Sequence, residues 1–158
     1  MGTMRARFST LARPMRLAAE RPVAQAKKGD SQRLARQTVG MDVEALRLAV
    51  YQSFARTGHP PDTGALTTGL DANESEVAEG LRALAGARHL VLDSDDRIAM
   101  AHPFAAIPLG FSVMGATTLW WGGCAWDSFA LPHLLPAQSP VLVATRCPAC
   151  ARPHAWNV

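Results

Sequence analysis

The sequence predicts an α+β protein, with a winged helix-turn-helix-like domain of three helices followed by a small mixed or antiparallel β-sheet domain. Three helical stretches and a hairpin occur in order before residue 102, and the composition then changes to short apolar runs separated by glycines. Hydrophobic residues make up 48% of the 158 residues, which is enough for a packed core. We therefore expect domains at 41–102 and 103–158.

The first forty residues differ from the rest of the chain in charge. They carry nine of the sixteen Lys and Arg residues but only two acids, so the basic character of the chain belongs to this segment. We interpret 1–40 as a basic, flexible tail or the product of a translation start placed too early. A targeting peptide or a nucleic-acid-binding arm is the alternative.

The first helix is predicted to begin at Asp42, whose side chain can cap a helix N-terminus. Its apolar face is formed by four residues at helical spacing: Val43, Leu46, Val50 and Phe54. Gly58 and the pair Pro60-Pro61 end it, because glycine favours a helix C-terminus and proline cannot continue the helix.

Two further helices are predicted after these prolines. A short one covers 63–69, and a longer one follows Asp71, which forms a predicted capping box with Glu74. The longer helix buries three residues on one face and ends near Gly86. These residues are Val77, Leu81 and Leu84.

A hairpin of two short strands, 89–92 and 97–100, completes the winged-helix pattern. A winged helix contacts DNA phosphates with its last helix and its wing, which therefore need basic residues. The last helix here presents Glu74, Glu76 and Glu79 against Arg82, and the turn 93–96 contains three aspartates. We therefore expect no nucleic-acid partner and interpret the module as a packing or lid domain.

The second half of the chain is predicted to be mainly strands and turns. The predicted strands cover 111–114, 117–121, 141–145 and 154–158. A helical segment at 124–131 follows Gly122-Gly123 and is stopped by Pro132. The run 147–150, Cys-Pro-Ala-Cys, is predicted to form a knuckle or tight turn.

The candidate catalytic residues are Cys124 and Asp127, in the run Trp-Trp-Gly-Gly-Cys-Ala-Trp-Asp at 120–127. A lone cysteine is usually a small core residue. Here two preceding glycines allow close approach of a ligand, and the start of a helix favours a thiolate. Asp127 falls one turn later on the same face, where it can hold a proton beside the sulfur if its surroundings are apolar. Those surroundings are predicted to be Trp120, Trp121 and Trp126.

This run and its context resemble the core of the organomercurial (alkylmercury) lyase family. The matching features within 104–147 are the Cys-Ala-x-Asp element, a following helix that contains Pro132, and a strand that ends in Cys147. The preceding helices and hairpin are similar to that family's N-terminal domain, so the resemblance covers about 42–158.

The resemblance implies carbon–mercury bond cleavage in mercury detoxification. Thiolates bind mercury strongly because it is a soft ion, so Cys124 would be a mercury ligand. Asp127 would protonate the departing carbon. The products would be a hydrocarbon and enzyme-bound Hg²⁺. No cofactor would be required, and the partners would be an organomercurial substrate and small cellular thiols.

The sequence departs from the family pattern at the second mercury ligand. The family's second catalytic cysteine lies downstream of the strand that ends in Cys147, and the last cysteine here is Cys150. The resemblance thus implies a C-terminally shortened catalytic core, with reduced activity. Cys147 is similar to a structural cysteine of the family, and Cys150 has no counterpart.

Three interpretations of the knuckle remain open. Either Cys147 or Cys150 supplies the missing mercury ligand, or both form a structural zinc site with His154, with or without Cys124. In the third interpretation they are simply reduced cysteines in a turn. The other four histidines are interpreted as isolated surface or core residues: His59, His89, His102 and His133.

The cysteine count and the hydropathy indicate where in the cell the protein is expected, and two alternative functions remain open. An odd number of cysteines favours reduced thiols, and no run of 18 apolar residues is present, so we expect a cytoplasmic protein with no membrane partner. One alternative to a lyase is a non-catalytic protein that sequesters mercury or another metal through its thiols. The other is a winged-helix regulator that responds to metal.

Overall fold

The structure, a computed structural model, describes residues 41–158, and the predicted basic tail at 1–40 lies outside them. The described part contains four α-helices: α1 (Val43–Thr57), α2 (Thr63–Leu70), α3 (Glu74–Gly86) and α4 (Ala125–Leu134). It contains seven strands: β1 (Val91–Leu92), β2 (Ile98–Ala101), β3 (Phe104–Ala105), β4 (Phe111–Met114), β5 (Leu119–Gly122), β6 (Leu142–Arg146) and β7 (Pro153–Asn157). These elements confirm the α+β class.

Helix α1 has the ends that its sequence predicts. The Asp42 side chain accepts a hydrogen bond from the Glu44 N–H at 2.9 Å, which satisfies one free donor at the helix start. Gly58 ends the helix with φ of 77°, in the left-handed region that favours glycine, and its N–H donates to Phe54 O at 2.8 Å. The buried face is formed by Leu46, Val50 and Phe54.

The capping box of α3 lies two residues later than the sequence predicts. Asn73 Oδ1 accepts from the Glu76 N–H at 3.0 Å, and Glu76 Oε2 accepts from the Asn73 N–H at 2.9 Å. Asp71 is the C-cap of α2 instead, with φ of 50°. The predicted pair Asp71 and Glu74 was wrong because α2 extends to Leu70 and takes up Asp71 at its own end.

The strands form one antiparallel sheet in the order β1-β2-β3-β5-β4-β6-β7. The predicted hairpin is present as β1 and β2, although β1 is shorter than expected. The predicted domain boundary between His102 and Pro103 falls in the turn that joins β2 to β3 within this sheet. The division into two domains stays a prediction, as does the winged-helix assignment of 41–102.

Helix α1 is attached to the sheet by buried contacts. Trp120, in β5, is 1% exposed, and its Nε1–H donates to Phe54 O at 2.8 Å. The Phe54 ring stacks on Phe104 with centroids 5.4 Å apart. A side chain at Gly58 would overlap the carbonyl oxygen of Leu119, so α1 can approach β5 this closely only with glycine there. The helices and the sheet therefore share one hydrophobic core.

Helix α4 continues through Pro132 to Leu134, whereas the sequence predicted that this proline would stop it. Proline lacks the N–H that would bond the carbonyl of Ser128, so the helix loses one hydrogen bond near its C-terminal end. The remaining turn is completed by the Leu135 N–H, which donates to Leu131 O at 3.0 Å. Leu131 is 1% exposed, and its burial holds this last turn against the sheet.

None of the helices in the described part of the chain has the length and apolar character needed to cross a bilayer.

Candidate functional site

The corner between β5 and α4 fixes the backbone of Cys124. Cys124 is the N-cap of α4, in an extended conformation. Ser128 is fully buried, and both its N–H (3.0 Å) and its Oγ (2.7 Å) donate to the Cys124 carbonyl oxygen. A side chain at Gly122 would overlap Ser128 Oγ, so glycine is required where the strand passes under the helix. These contacts hold Cys124 at the first turn of α4.

The thiol of Cys124 is exposed and makes no capping hydrogen bond to its own helix. At a helix N-terminus the first backbone N–H groups have no partner within the helix, and the helix dipole favours negative charge. An exposed sulfur in this position can therefore act as a nucleophile or as a metal ligand.

The carboxylate of Asp127 contacts a histidine from another part of the sheet. His102 Nδ1 lies 3.1 Å from Asp127 Oδ2. The Asp127 side chain is 17% exposed and that of His102 is 57% exposed, so the pair lies at the surface with the carboxylate on its inner side. Asp127 is in the first turn of α4, and His102 is in the turn between β2 and β3.

Gly123 leaves the space in which this pair meets. A Cβ at position 123 would lie 2.5 Å from Asp127 Oδ2, 2.6 Å from Met100 Cε and 3.2 Å from His102 Nδ1. Its backbone N–H donates to Pro103 O at 3.1 Å, which joins the β5–α4 corner to the β2–β3 turn. The residue before Cys124 must therefore be glycine for the carboxylate, the imidazole and the thioether side chain to converge.

His102 was wrongly interpreted from the sequence as an isolated histidine. It lies 25 residues before Asp127, and the two meet only because β3 pairs with β5, with Phe104 opposite Gly122. The pairing of β3 with β5 cannot be predicted from the residues next to His102 or Asp127 in the sequence. The one signal in the sequence is that His102 lies in the break between two predicted strands, where a side chain is free to face a neighbouring strand end.

Trp120 and Trp126 do not form the apolar wall that the sequence predicts around Asp127. Trp126 is 87% exposed, and Trp120 is buried with its indole N–H bonded to Phe54 O. Met100 is the apolar side chain that meets the carboxylate above Gly123. Successive residues of a strand face opposite sides, and Trp126 lies on the outer face of the first turn of α4, so the run could not surround one carboxylate.

The Cys147–Cys150 knuckle is a tight turn between β6 and β7. The Ala151 N–H donates to Cys147 O at 2.8 Å, and the Cys147 N–H donates to Arg152 O at 2.9 Å. Hydrogen bonds from the backbone N–H of Cys150, then from that of Ala149, and from the Cys150 side chain lower the pKa of Cys147 below its ordinary value. The turn therefore favours a thiolate at Cys147.

Within residues 41–158, no three His, Cys, Asp or Glu side chains form a group suited to a metal ion. The zinc site of Cys147, Cys150 and His154 and the three-cysteine site with Cys124 stay predictions. His154 stacks on Trp156 with ring centroids 5.9 Å apart, on one face of β7. The structure thus brings Asp127 and His102 together at the first turn of α4, of which Cys124 is the N-cap, and places the two knuckle cysteines in the turn between β6 and β7.

No protein-family model matches the chain, and no curated protein matches it. Solved structures do match, among them the mercury-bound form of MerB2, with a TM-score of 0.56 and 20% sequence identity. The match covers 82% of this chain and 61% of that chain, so this protein spans less than two thirds of its length. At this identity the likeness shows a shared fold and nothing about activity.

Proposed function

We propose that this protein is an organomercurial lyase-like protein, in which Cys124 binds the mercury atom of R–Hg⁺ and Asp127 protonates the carbon. The observation that carries the proposal is the Asp127 carboxylate, which His102 holds above Gly123, in the first turn of the helix whose N-cap is the exposed Cys124. The family resemblance of 120–127 and the fold shared with a mercury-bound protein support it.

Binding of the substrate begins at the sulfur. The Cys124 thiol passes its proton to the Asp127 carboxylate, and its sulfur adds to the mercury of R–Hg⁺, because a soft thiolate binds a soft metal strongly. Exposure of Cys124 allows a substrate already bound to a small cellular thiol to approach. That small thiol remains as the second sulfur ligand of mercury, in the role that the resemblance gives to a second cysteine. Additional sulfur donation weakens the carbon–mercury bond.

Asp127 completes the reaction as the proton donor. The carbon–mercury bond breaks, its electron pair stays on the carbon, and the carboxyl proton of Asp127 moves to that carbon, so R–H leaves. Hg²⁺ remains on the thiolates, and Asp127 is left as a carboxylate. His102 is a positioning residue, because its Nδ1 contacts Oδ2 at 3.1 Å and fixes the orientation of the carboxyl group.

Hydrocarbon release tests this proposal. The protein is incubated with a phenylmercury salt and excess small thiol, and benzene is measured by gas chromatography. Asp127→Asn, which keeps the size but not the acid, should lower the rate about 100-fold or more, since a positioned general acid contributes about 10²–10⁴. If the wild-type rate equals that of Cys124→Ala, the protein is not a lyase.

A second candidate function is mercury sequestration without bond cleavage. It is favoured by the exposure of two thiols, Cys124 and Cys150, and by the partial exposure of Cys147. Such a protein retains the intact organomercurial in stoichiometric amounts and releases no hydrocarbon. The same assay separates the two functions, because benzene and protein-bound phenylmercury are measured on one sample.

Regulation through DNA binding has less support. The Asp93–Asp96 turn binds the cations beside it: Arg82 Nη2 lies 2.8 Å from Asp96 Oδ2, and Arg97 Nη2 lies 2.8 Å from Asp95 Oδ2. Phosphate contacts need basic groups that are not neutralised in this way.

A further inference from the structure

We propose that Cys147 and Cys150 form a separate binding site for Hg²⁺. Both cysteines bind the ion as thiolates, and Cys124 does not contribute. The inference does not depend on carbon–mercury cleavage at Cys124. The site lies in the turn between β6 and β7 and needs only the two knuckle sulfurs.

The turn presents both cysteines on an anchored backbone. The hydrogen bond from the Ala151 N–H to Cys147 O closes it at 2.8 Å, and the bond from the Cys147 N–H to Arg152 O extends the β6–β7 pairing to its base. Ala151 adopts φ of 58°, and Arg146 Nη1 donates to the carbonyl oxygen of that residue at 3.3 Å. Binding therefore requires little ordering of the backbone.

The two knuckle sulfurs lie close to each other. The backbone N–H groups of Cys150 and Ala149 and the Cys150 side chain all donate to Cys147 Sγ, so the turn places both sulfurs on one side. A thiolate is the form that ligates metals. Hg²⁺ therefore binds both sulfurs as thiolates, and each thiol that is protonated releases its proton to the solvent.

The number of sulfurs matches mercury better than zinc. Structural zinc sites almost always have four ligands, so two further groups would have to join the two sulfurs. Within the described residues no third His, Cys, Asp or Glu joins the two sulfurs in a metal-binding group. Hg²⁺ is stable with two thiolates in a near-linear arrangement, so the pair alone is sufficient for this ion.

The site lies at the same end of the sheet as Cys124. In β4, Phe111 is paired with Gly122 on one side and with Thr145 on the other. Cys124 and Cys147 each follow two residues after these paired positions. Two strand spacings separate Gly122 from Thr145 by roughly 10 Å. The knuckle therefore lies at the sheet end that also carries Cys124, but on a different strand.

Equilibrium dialysis against mercuric chloride with excess small thiol tests the site, with bound mercury measured by native mass spectrometry. The fully reduced chain is used in four forms: wild type, Cys124→Ala, Cys147→Ser/Cys150→Ser, and the variant that combines all three changes. Circular dichroism confirms that each is folded. We expect Cys124→Ala to keep one equivalent of Hg²⁺. The double serine variant should hold mercury at least roughly 100-fold more weakly at this site, because it loses the chelating pair.

If Cys124→Ala does not keep one tightly bound equivalent of Hg²⁺, the proposal is overturned, because the knuckle would then not bind Hg²⁺ alone. Equal retention by wild type and the double serine variant would also overturn it, as would tighter binding of zinc than of mercury in Cys124→Ala. Benzene release from phenylmercury reports on Cys124 separately. A protein with no lyase activity but an intact knuckle site would therefore contradict the proposed function and leave this inference supported.

Discussion

His102 Nδ1 lies 3.1 Å from Asp127 Oδ2, although the two residues belong to different elements and are separated by 25 positions. The contact exists because the β2–β3 turn is bonded to the β5–α4 corner through the Gly123 N–H and Pro103 O. It gives the carboxyl group one orientation above the residue that precedes Cys124. A proton donor works efficiently only when its geometry is fixed relative to the reacting atom.

His102→Ala should slow hydrocarbon release roughly tenfold while leaving mercury binding to Cys124 unchanged. The carboxyl group would lose its partner but keep its place on α4, so only the proton-transfer step is affected. Single-turnover benzene release and phenylmercury affinity measure the two effects separately.

His102→Asn is the matched control, since the asparagine amide nitrogen can occupy the position of Nδ1 and hydrogen-bond to Asp127. It should recover most of the rate. If the alanine and asparagine variants are equally slow, the hydrogen bond to Nδ1 is not what the histidine contributes.

Much of the fold was predictable from local patterns. Helix α1 was identified because its apolar residues recur at helical spacing and Gly58 follows them. The capping box of α3 was misplaced because 71–76 contains two overlapping frames, Asp71 with Glu74 and Asn73 with Glu76. The choice between them depends on where α2 ends, which is decided by packing rather than by the caps alone.

The candidate site was predictable only in part. Cys124 and Asp127 are three positions apart, about one helix turn, so sequence spacing was enough to associate them. The partner of Asp127 was not predictable, because it depends on the register of β3 against β5. The role expected of Trp126 was wrong for a related reason: the outer face of α4 is set by how that helix packs on the sheet.

Gly123→Ala should damage both the site and the fold. The new Cβ would lie within 2.6 Å of Asp127 Oδ2 and Met100 Cε, so the side chains or the corner must move. Overpacking of this kind costs about 1–3 kcal/mol in the free energy of unfolding, and displacement of the carboxylate lowers the rate. Urea unfolding and benzene release measure the two losses.

Gly69→Ala provides the control for this glycine, because nothing lies within 4 Å of a Cβ at that position in α2. It should leave the rate unchanged and stabilise the protein by up to about 1 kcal/mol, since alanine has the higher helix propensity. A fully active Gly123→Ala variant would show that Asp127 does not need its observed position.

Trp120→Phe should destabilise the protein by about 1–3 kcal/mol. The Phe54 carbonyl loses the indole donor at 2.8 Å and keeps only the Gly58 N–H, and the smaller ring leaves a cavity because Trp120 is 1% exposed. Urea denaturation checks the value. Trp126→Phe is the matched control, because the Trp126 side chain is 87% exposed and its replacement should change stability by less than about 0.5 kcal/mol. Equal effects would mean that the link from α1 to the sheet is not energetically important.

Alkylation of Cys147 should have its pH midpoint at a lower value in the folded protein than in the same chain unfolded by urea. The hydrogen bonds from the Cys150 and Ala149 N–H groups stabilise the thiolate and lower the pKa, and they are lost on unfolding. A thiol whose folded pKa is depressed stabilises the fold fully above the unfolded pKa, and this contribution is lost as pH falls through the folded pKa. The Cys147→Ser protein should therefore be less stable than wild type at pH values above the unfolded pKa of Cys147. At pH values below the folded pKa, this contribution should be absent from both proteins. Peptide mapping after brief iodoacetamide treatment gives the midpoint, and coinciding midpoints in the two states would contradict the role assigned to the turn.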